Sequence, residues 1–335
     1  MLVPALGGRV RDVRLGGRQW LWHNPHVPLT TPPAGVSYDD ASASGGLDEC
    51  FPTVEPCRLP SWVKGAQRAK LPDHGELWAQ APAVEILTDA DGHSATCTWS
   101  GSALPYRFTR RMTLHPEGWL AFAYAATNTG THRMPFLWSS HPVFPLTPRT
   151  RLVLPDGAVA RVWSHRNTQF GKPGSEHRWP RLRNGGSLVD LSRPYAALGR
   201  DYACKLFVEL PRREVRIVIE EGDSTLEMLL HGREIPTVGI AINRSLGGET
   251  SRRGRWPFGR ATPPACTVSI EPSIGAPESL SDALGPWDDA HWLEPGGTAR
   301  WGMTWRAGLK TDDRRPVTED GTPTIDGRRS KMGDA

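Results

Sequence analysis

The sequence of 335 residues has few cysteines, no long apolar run and no large excess of one charge sign. The cysteines are odd in number and lack Cys-x-x-Cys spacing, which argues against a disulfide framework and a zinc site; they are Cys50, Cys57, Cys97, Cys204 and Cys266. No basic segment followed by an apolar one opens the sequence, so no signal peptide is predicted. No apolar stretch approaches the roughly 20 residues of a membrane helix. We therefore expect a cytoplasmic protein without a membrane partner.

The charges are mixed along the chain. Lys and Arg together number 40 and Asp and Glu 36, for a net charge of +4, and no basic stripe suited to nucleic acid is evident. Tryptophan is frequent, with 14 residues against 5 tyrosines and 8 phenylalanines. An indole can fill a core or stack on the C–H face of a sugar, so this composition favours carbohydrate only slightly.

Helical periodicity is nearly absent, and strand and turn signals run through most of the chain. Four hairpins are predicted from pairs of strand-like runs around a short turn: Val10–Leu15 with Arg18–Trp22, Ala83–Leu87 with Ser94–Trp99, Tyr106–Leu114 with Trp119–Thr127, and Lys205–Leu210 with Glu214–Glu220. Further strands are predicted at Thr225–Leu230, Val238–Asn243, Cys266–Glu271 and Thr298–Ala307.

This pattern predicts an all-β fold, a large antiparallel β-sandwich, over residues 1–309. Residues 310–335 contain no aromatic residue and few aliphatic ones, so we expect a disordered tail. The segment Asn24–Gly46 is rich in Pro, Gly, Ser and Ala. A loop of this length either serves function or covers a sheet edge.

Three segments carry side chains suited to acid–base chemistry. The first is DHGELW, with His74 next to a glycine that permits close approach of backbone or ligand. The second runs from Asn128 through TGTHRMPFLWSSHPVF and contains His141. The third is IEPSIGAPESL, in which Glu271 lies at the end of an apolar strand. The spacing is not typical of a metal site, since no pair of histidines stands four residues apart.

Together these segments resemble the aldose 1-epimerase, or galactose mutarotase-like, superfamily. Its members have an early His-Gly element, an Asn-x-Gly strand leading to a second histidine, and a late glutamate before a Pro-(Asp/Glu)-x-Leu stretch. The order and approximate gaps agree over residues 1–308. The resemblance implies a β-sandwich of the mutarotase type, a sugar as the small-molecule partner, and no cofactor.

The sequence departs from this family at two places. The Arg-containing loop that usually precedes the first histidine reads GGLDECFPTVEPC here, so Asp48 and Glu49 either line the site or are structural. The family's mid-chain aspartate corresponds only faintly to Asp201. Substrate identity and oligomeric state are not predicted.

The resemblance implies that Glu271 removes the anomeric proton and that His141 protonates the ring oxygen, with His74 orienting the sugar or sharing the acid role. Loss of the His141 imidazolium should then lower the rate at high pH. Trp78 and Trp138 lie in the same motifs and either stack on the sugar or pack the sheet.

Two other functions remain open. One is carbohydrate binding without turnover. The other is glycoside cleavage, for which Glu271 with Asp48 or Glu49 could supply the two carboxylates. The relative position of Glu271 and His141 is the best test of these functions. If both face one cleft, epimerisation and sugar binding remain possible, and if they do not, the site assignments fail.

Overall fold

The computed structural model describes residues 1–24, Tyr38, residues 45–245 and residues 265–310. The predicted tail lies outside these residues except for Lys310, and so does most of the Asn24–Gly46 loop. No helix in the described part of the chain is both long and apolar enough to cross a bilayer.

The described chain is built on two antiparallel sheets, with strands numbered β1 to β25 in chain order. The larger sheet has nine strands, in the spatial order β1 (Leu2–Val3), β2 (Arg9–Val10), β5 (Leu47–Cys50), β13 (Trp138–Pro145), β23 (Ala265–Ile274), β22 (Thr237–Ser245), β19 (Tyr202–Glu209), β15 (Val159–Arg166) and β16 (Glu176–Arg178).

The second sheet has eight strands, in the order β14 (Thr150–Val153), β20 (Glu214–Glu221), β21 (Ser224–His231), β25 (Thr298–Leu309), β11 (Leu120–Asn128), β10 (Tyr106–Leu114), β9 (Gly92–Ser100) and β8 (Ala83–Asp89). Its six inner strands have 8 to 12 residues and pair with a strand on each side. This sheet supports the larger one from behind.

Small elements decorate the two sheets. Four two-stranded ribbons pair β3 (Arg14–Leu15) with β4 (Arg18–Gln19), β6 (Cys57–Arg58) with β7 (Lys70–Leu71), β12 (Met134–Phe136) with β24 (His291–Leu293), and β17 (Arg181–Asn184) with β18 (Ser187–Asp190). The helices that lie wholly within the described ranges are single turns, namely α1 (Pro194–Ala197), α2 (Leu280–Ala283) and the 3₁₀ turns Pro4–Leu6 and Leu77–Ala79.

The main core lies between the two sheets. On β11, alternate residues from Leu120 to Ala126 are buried, which confirms the face predicted from the sequence. On β13, Trp138 points into the same core, where its ring lies 4.8 Å from that of Tyr124 and 5.1 Å from that of Trp301. The alternation along β13 therefore leaves Ser139 and His141 on the outer face of the nine-stranded sheet.

The predicted all-β sandwich is confirmed, and so are the turns of the first three hairpins. The fourth hairpin is wrong, although its two strands exist. β19 pairs with β15 and β22, whereas β20 pairs with β14 and β21. The three residues Pro211–Arg213 carry the chain from one sheet to the other, so β19 and β20 belong to different layers.

Candidate functional site

A row of polar residues crosses the outer face of the nine-stranded sheet. Asp48 on β5 pairs with His141 on β13. Because Ser139 pairs with Ser273 and Val143 with Ser269, His141 stands opposite Glu271 on β23. Side chains in register on one face lie about 5 Å apart, so the register alone brings these groups together.

Glu271 is 1% exposed, and its two oxygens have different surroundings. Oε2 accepts hydrogen bonds from the Lys205 ammonium and, at 3.5 Å, from the Ser139 hydroxyl. Oε1 lies 3.6 Å from His141 Nε2 and has no hydrogen-bond partner among the described residues. Burial by itself would raise the pKa of Glu271, but the positive charge of Lys205 holds it below its usual value. Glu271 is therefore an ionised carboxylate with one oxygen available.

Lys205 reaches this carboxylate from β19, two strands away. Its ammonium also lies 2.7 Å from Glu278 Oε1, so it bridges two carboxylates. The side chain crosses β22 above Gly239, where no side chain obstructs it. A Cβ at position 239 would lie 3.2 Å from Lys205 Cε and 3.3 Å from Glu271 Oε2. The glycine thus leaves open the passage through which the lysine reaches β23.

His141 is mostly buried beside Glu271. Burial lowers the pKa of its imidazole from 6.5 to about 4, because the carboxylate offsets only part of the cost of desolvating the charged ring. His141 is therefore neutral at neutral pH. With this lowered pKa, His141 is not expected to supply the imidazolium whose loss was predicted to lower the rate at high pH.

His74 reaches the same face from the segment before the 3₁₀ turn Leu77–Ala79, and its ring centroid lies 5.2 Å from that of His141. His74 and Gly75 both have left-handed backbone conformations, with φ of 56° and 70°. They bring the chain against Phe51, which bridges to Gly75. His74 Nδ1 lies 2.9 Å from Asp73 Oδ1. An ionised carboxylate can only accept, so His74 Nδ1 donates this hydrogen bond.

Asp48 lies on this face but is held by two partners. Arg9 on β2 binds both its oxygens, at 2.9 and 2.7 Å, and the Tyr38 hydroxyl donates to Oδ2 at 2.7 Å. The Tyr38 ring stacks on His74 with centroids 3.7 Å apart. Asp48 therefore anchors a tyrosine over the first histidine and is not a free carboxylate.

Glu49 points to the opposite face. It lies in the core between the sheets, where Arg110, Tyr124 and Trp138 bind its oxygens. Glu49 therefore lies on the opposite face from Glu271 and cannot form a glycoside-cleaving pair with it. Trp138 is fully buried on this inner side and cannot stack on a sugar held by His141.

The remaining two predicted residues are Trp78, which packs near His74, and Asp201, which lies away from Glu271. Trp78 is 3% exposed, donates to the Asp73 carbonyl at 2.8 Å and contacts Tyr38 edge to face, so it packs behind the histidine segment. Asp201 is bound by Arg166 and Asn167 at the start of β19. It lies four positions before Lys205, about 13 Å along an extended chain, and the structure does not bring it together with Glu271.

Sequence reasoning missed the partners that hold these groups. Lys205, Arg9 and Tyr38 are far apart in the sequence, and only their contacts in the folded protein join them to the site. An aromatic group beside Lys205 was also missed, formed by Trp163, Phe207 and Trp287. The one available signal was a lysine in a mostly apolar strand, KLFVEL, because burial of a lysine demands an opposite charge.

No group of three His, Cys, Asp or Glu side chains within the described ranges is arranged to hold a metal ion. What these residues offer is an ionised carboxylate, a neutral imidazole and a carboxylate-linked imidazole on one face. That set can move protons on a neutral ligand without a metal.

No protein-family model matches the sequence, and no curated protein matches it significantly. Solved structures do resemble it. A galactose mutarotase related enzyme from Lactobacillus acidophilus shares 18% identity at a TM-score of 0.56, covering 92% of this chain and 94% of that one. A galactose mutarotase-like protein from Clostridium acetobutylicum shares 12% at 0.57, covering 92% of each chain.

A protein from Escherichia coli K12, provisionally described as an aldose 1-epimerase, shares 16% identity at a TM-score of 0.57, covering 91% of this chain and 94% of that one. Identities this low establish a common fold and leave the reaction to be argued from the site. The chain has the galactose mutarotase-like fold that the three sequence segments indicated.

Proposed function

We propose that the protein is an aldose 1-epimerase-like isomerase that interconverts sugar anomers by opening and closing the ring. The observation that supports this most is the arrangement around Glu271. Its free oxygen Oε1 faces His141 Nε2 at 3.6 Å, and His74 shares the same face. Ring opening requires one group to take the anomeric proton and another to protonate the ring oxygen, and this face presents both.

In the proposed reaction, Glu271 Oε1 accepts the proton of the anomeric hydroxyl. The C1–O bond to the ring oxygen breaks as that oxygen takes a proton, and C1 becomes an aldehyde. Rotation about C1–C2 and the reverse transfers close the ring on the other face of the carbonyl. Every proton is returned, so neither cofactor nor co-reactant is consumed.

The proton donor in this proposal is His74. Its Nδ1 donates to the Asp73 carboxylate at 2.9 Å, which holds the imidazole on the face of Glu271, where it can give a proton to the ring oxygen. His141 is neutral because burial lowers its pKa to about 4. It serves as a hydrogen-bond donor through Nε2, which holds the anomeric oxygen next to Glu271. The assignment of the acid thus moves from His141 to His74.

Polarimetry on freshly dissolved α-glucose and α-galactose tests this function. Purified protein should speed the approach to equilibrium rotation, and Glu271→Gln should reduce turnover by about 10²–10⁴-fold while sugar binding changes less. Glu294→Gln is a matched control, because Glu294 is exposed and pairs with Arg133 away from the site. Wild-type turnover in Glu271→Gln would show that another group removes the proton.

The two histidines can be separated in the same assay. His74→Asn should cost about as much as Glu271→Gln, whereas His141→Asn should cost less and should raise KM. A larger loss in His141→Asn than in His74→Asn would return the acid role to His141.

Carbohydrate binding without turnover is the second candidate, favoured by Tyr38. Its ring lies flat on His74 at 3.7 Å and covers the imidazole that would deliver the proton. In that case calorimetry would detect sugar binding while polarimetry would show no acceleration. Acceleration by the pure protein eliminates this candidate.

A further inference from the structure

The Lys205 ammonium is a buried charge that the proton transfers above do not use. It is 3% exposed and makes two ion pairs, with Glu271 and Glu278. Burying an ammonium is costly unless partners surround it. A buried lysine beside Glu271 should therefore affect both the orientation and the pKa of that carboxylate.

We propose that Lys205 is the positioning residue of Glu271: it occupies Oε2 and so leaves Oε1, facing His141, as the oxygen that exchanges the proton. This inference rests on the proposed function for the meaning of that proton, although its electrostatic part can be measured without turnover.

The geometry restricts Glu271 to one orientation. Oε2 receives the ammonium of Lys205 and the hydroxyl of Ser139, and Ser139 in turn accepts from the Ser273 hydroxyl at 3.0 Å. Rotation of the carboxylate would break these bonds. Lys205 is itself fixed by its second bond to Glu278, at 2.7 Å.

Gly239 on β22 allows Lys205 to reach Glu271. Gly239 pairs with Glu271 on one side and with Phe207 on the other. Lys205 therefore leans along its own strand and across Gly239 to reach β23. A Cβ on Gly239 would approach both Lys205 Cε and Glu271 Oε2 to within 3.3 Å, so a larger side chain would separate the two charged groups.

Among the charged groups around Glu271, Lys205 has the largest effect on its pKa. Asp48 and Cys50 face it from β5, His141 from β13, His74 from the loop above and Glu278 from the segment after β23. Of these groups the carboxylates oppose its ionisation, whereas Lys205 favours it most, ahead of His141 and His74. Burial by itself raises the pKa of Glu271, and the charge of Lys205 is the largest of the effects that hold it below its usual value, so removing the lysine should raise it.

Lys205→Met tests the proposal, because methionine has a similar length and no charge. The acid limb of the polarimetric pH–rate profile should move to higher pH by about 1–3 units, the range expected for loss of a close opposite charge. At a pH below the acid limbs of both proteins kcat should fall by about tenfold for each unit by which the limb moves, with a smaller change in KM. Lys310→Met is the matched control, since Lys310 pairs with Glu220 on the other sheet. It should leave the limb in place.

Glu278→Gln tests whether the Lys205 ammonium acts on Glu271 directly or through Glu278. It removes the competing partner of Lys205 and leaves the lysine on Glu271, so the acid limb should stay or move to lower pH. A shift to higher pH would show that Lys205 does not act directly on Glu271, and would overturn the proposal.

A direct titration distinguishes failure of this proposal from failure of the proposed function. The carboxyl carbon of Glu271 can be followed by ¹³C NMR, with its signal identified by its loss in Glu271→Gln. Its midpoint should lie below 4.5, the ordinary value, in the wild type and above it in Lys205→Met. An unchanged midpoint overturns the proposal even if the enzyme is active, whereas absent mutarotation with shifted midpoints overturns only the function.

Should Lys205→Met fail to fold, Gly239→Val provides the second variant. It keeps the lysine and blocks its path, and should raise the same midpoint. Gly308→Val is its control, because a Cβ on Gly308, in β25, meets nothing closer than Thr225 Oγ1 at 3.4 Å. A midpoint in Gly239→Val equal to that of Gly308→Val contradicts the proposal.

Discussion

Asp48 and Glu49 are adjacent carboxylates on β5, and strand alternation sends them to opposite faces of one sheet. Asp48 meets Arg9 and Tyr38 near the candidate site. Glu49 meets Arg110 in the core between the sheets. Because the sequence presents both as equivalent acids, their roles could not be predicted without knowing which face each would take.

The residues that were predicted for the site carry local signals. His74 is followed by a glycine, His141 lies in an aromatic run and Glu271 ends an apolar strand. These three do share one face. Lys205, by contrast, shows only that a lysine lies in a mostly apolar strand. Its partner Glu271 depends on the register across β19, β22 and β23, which is not visible in a single sequence.

Glu49 should make the stability of the protein depend on pH. Burial raises its pKa from 4.5 to about 7, more than the nearby Arg110 guanidinium lowers it. Between these pH values the folded protein holds a proton that the unfolded chain has released. Stability therefore falls as the pH rises from about 4.5 to about 7, by up to about 3 kcal/mol from this group.

Urea unfolding of the wild type and Glu49→Gln at several pH values measures this effect. The amide does not titrate, so the difference in unfolding free energy should change by that amount across the interval and stay constant above it. Glu294→Gln, at an exposed site, should show no such trend. A difference between wild type and Glu49→Gln that is independent of pH would contradict the raised pKa.

At the scale of elements, turn signals located strands well but did not say which strands pair. The segment Pro211–Arg213 resembles a hairpin turn, yet Leu210 bonds to the Pro236 carbonyl and Gly232 to that of Arg213. The following strand thus joins β21 in the other sheet. Consecutive strands are neighbours only about two-thirds of the time, and a short polar turn fits either outcome.

Gly75 is the element-scale determinant of where His74 lies. Its φ of 70° is left-handed, and a Cβ there would lie 2.2 Å from the Phe51 carbonyl oxygen. Gly75→Ala should therefore push the histidine segment off the sheet and lose both stability and turnover. Gly118→Ala is the matched control, with φ of 80° and nothing within 4 Å of the added Cβ.

Thermal unfolding and polarimetry compare the two variants. Gly118→Ala should show only the conformational cost, about 1–2 kcal/mol for a left-handed residue, with turnover retained. Gly75→Ala should cost clearly more and reduce turnover as well. Equal effects of the two substitutions would mean that the approach to Phe51 does not matter.

At the scale of the whole molecule, the all-β prediction succeeded because alternation is repeated in many strands. The buried residues of β11, for example, could be read from every second position. What could not be read is how two layers stack, since the inner tryptophans contact partners from distant strands. Trp138 meets Trp301 across the two sheets, 163 positions later in the chain.

A chain shortened to end at Lys310 should fold and function as the full chain does. Residues 311–335 include no aromatic side chain and few aliphatic ones, so they can bury little apolar surface. Lys310 must be kept, because its ammonium lies 2.8 Å from Glu220 Oε2 and its backbone N–H donates to the Asp223 carbonyl. We expect the melting temperature and the sugar response of the shortened and full chains to agree within error. A clear drop in either would show that the C-terminal segment packs on the sandwich and that the predicted boundary at residue 309 is wrong.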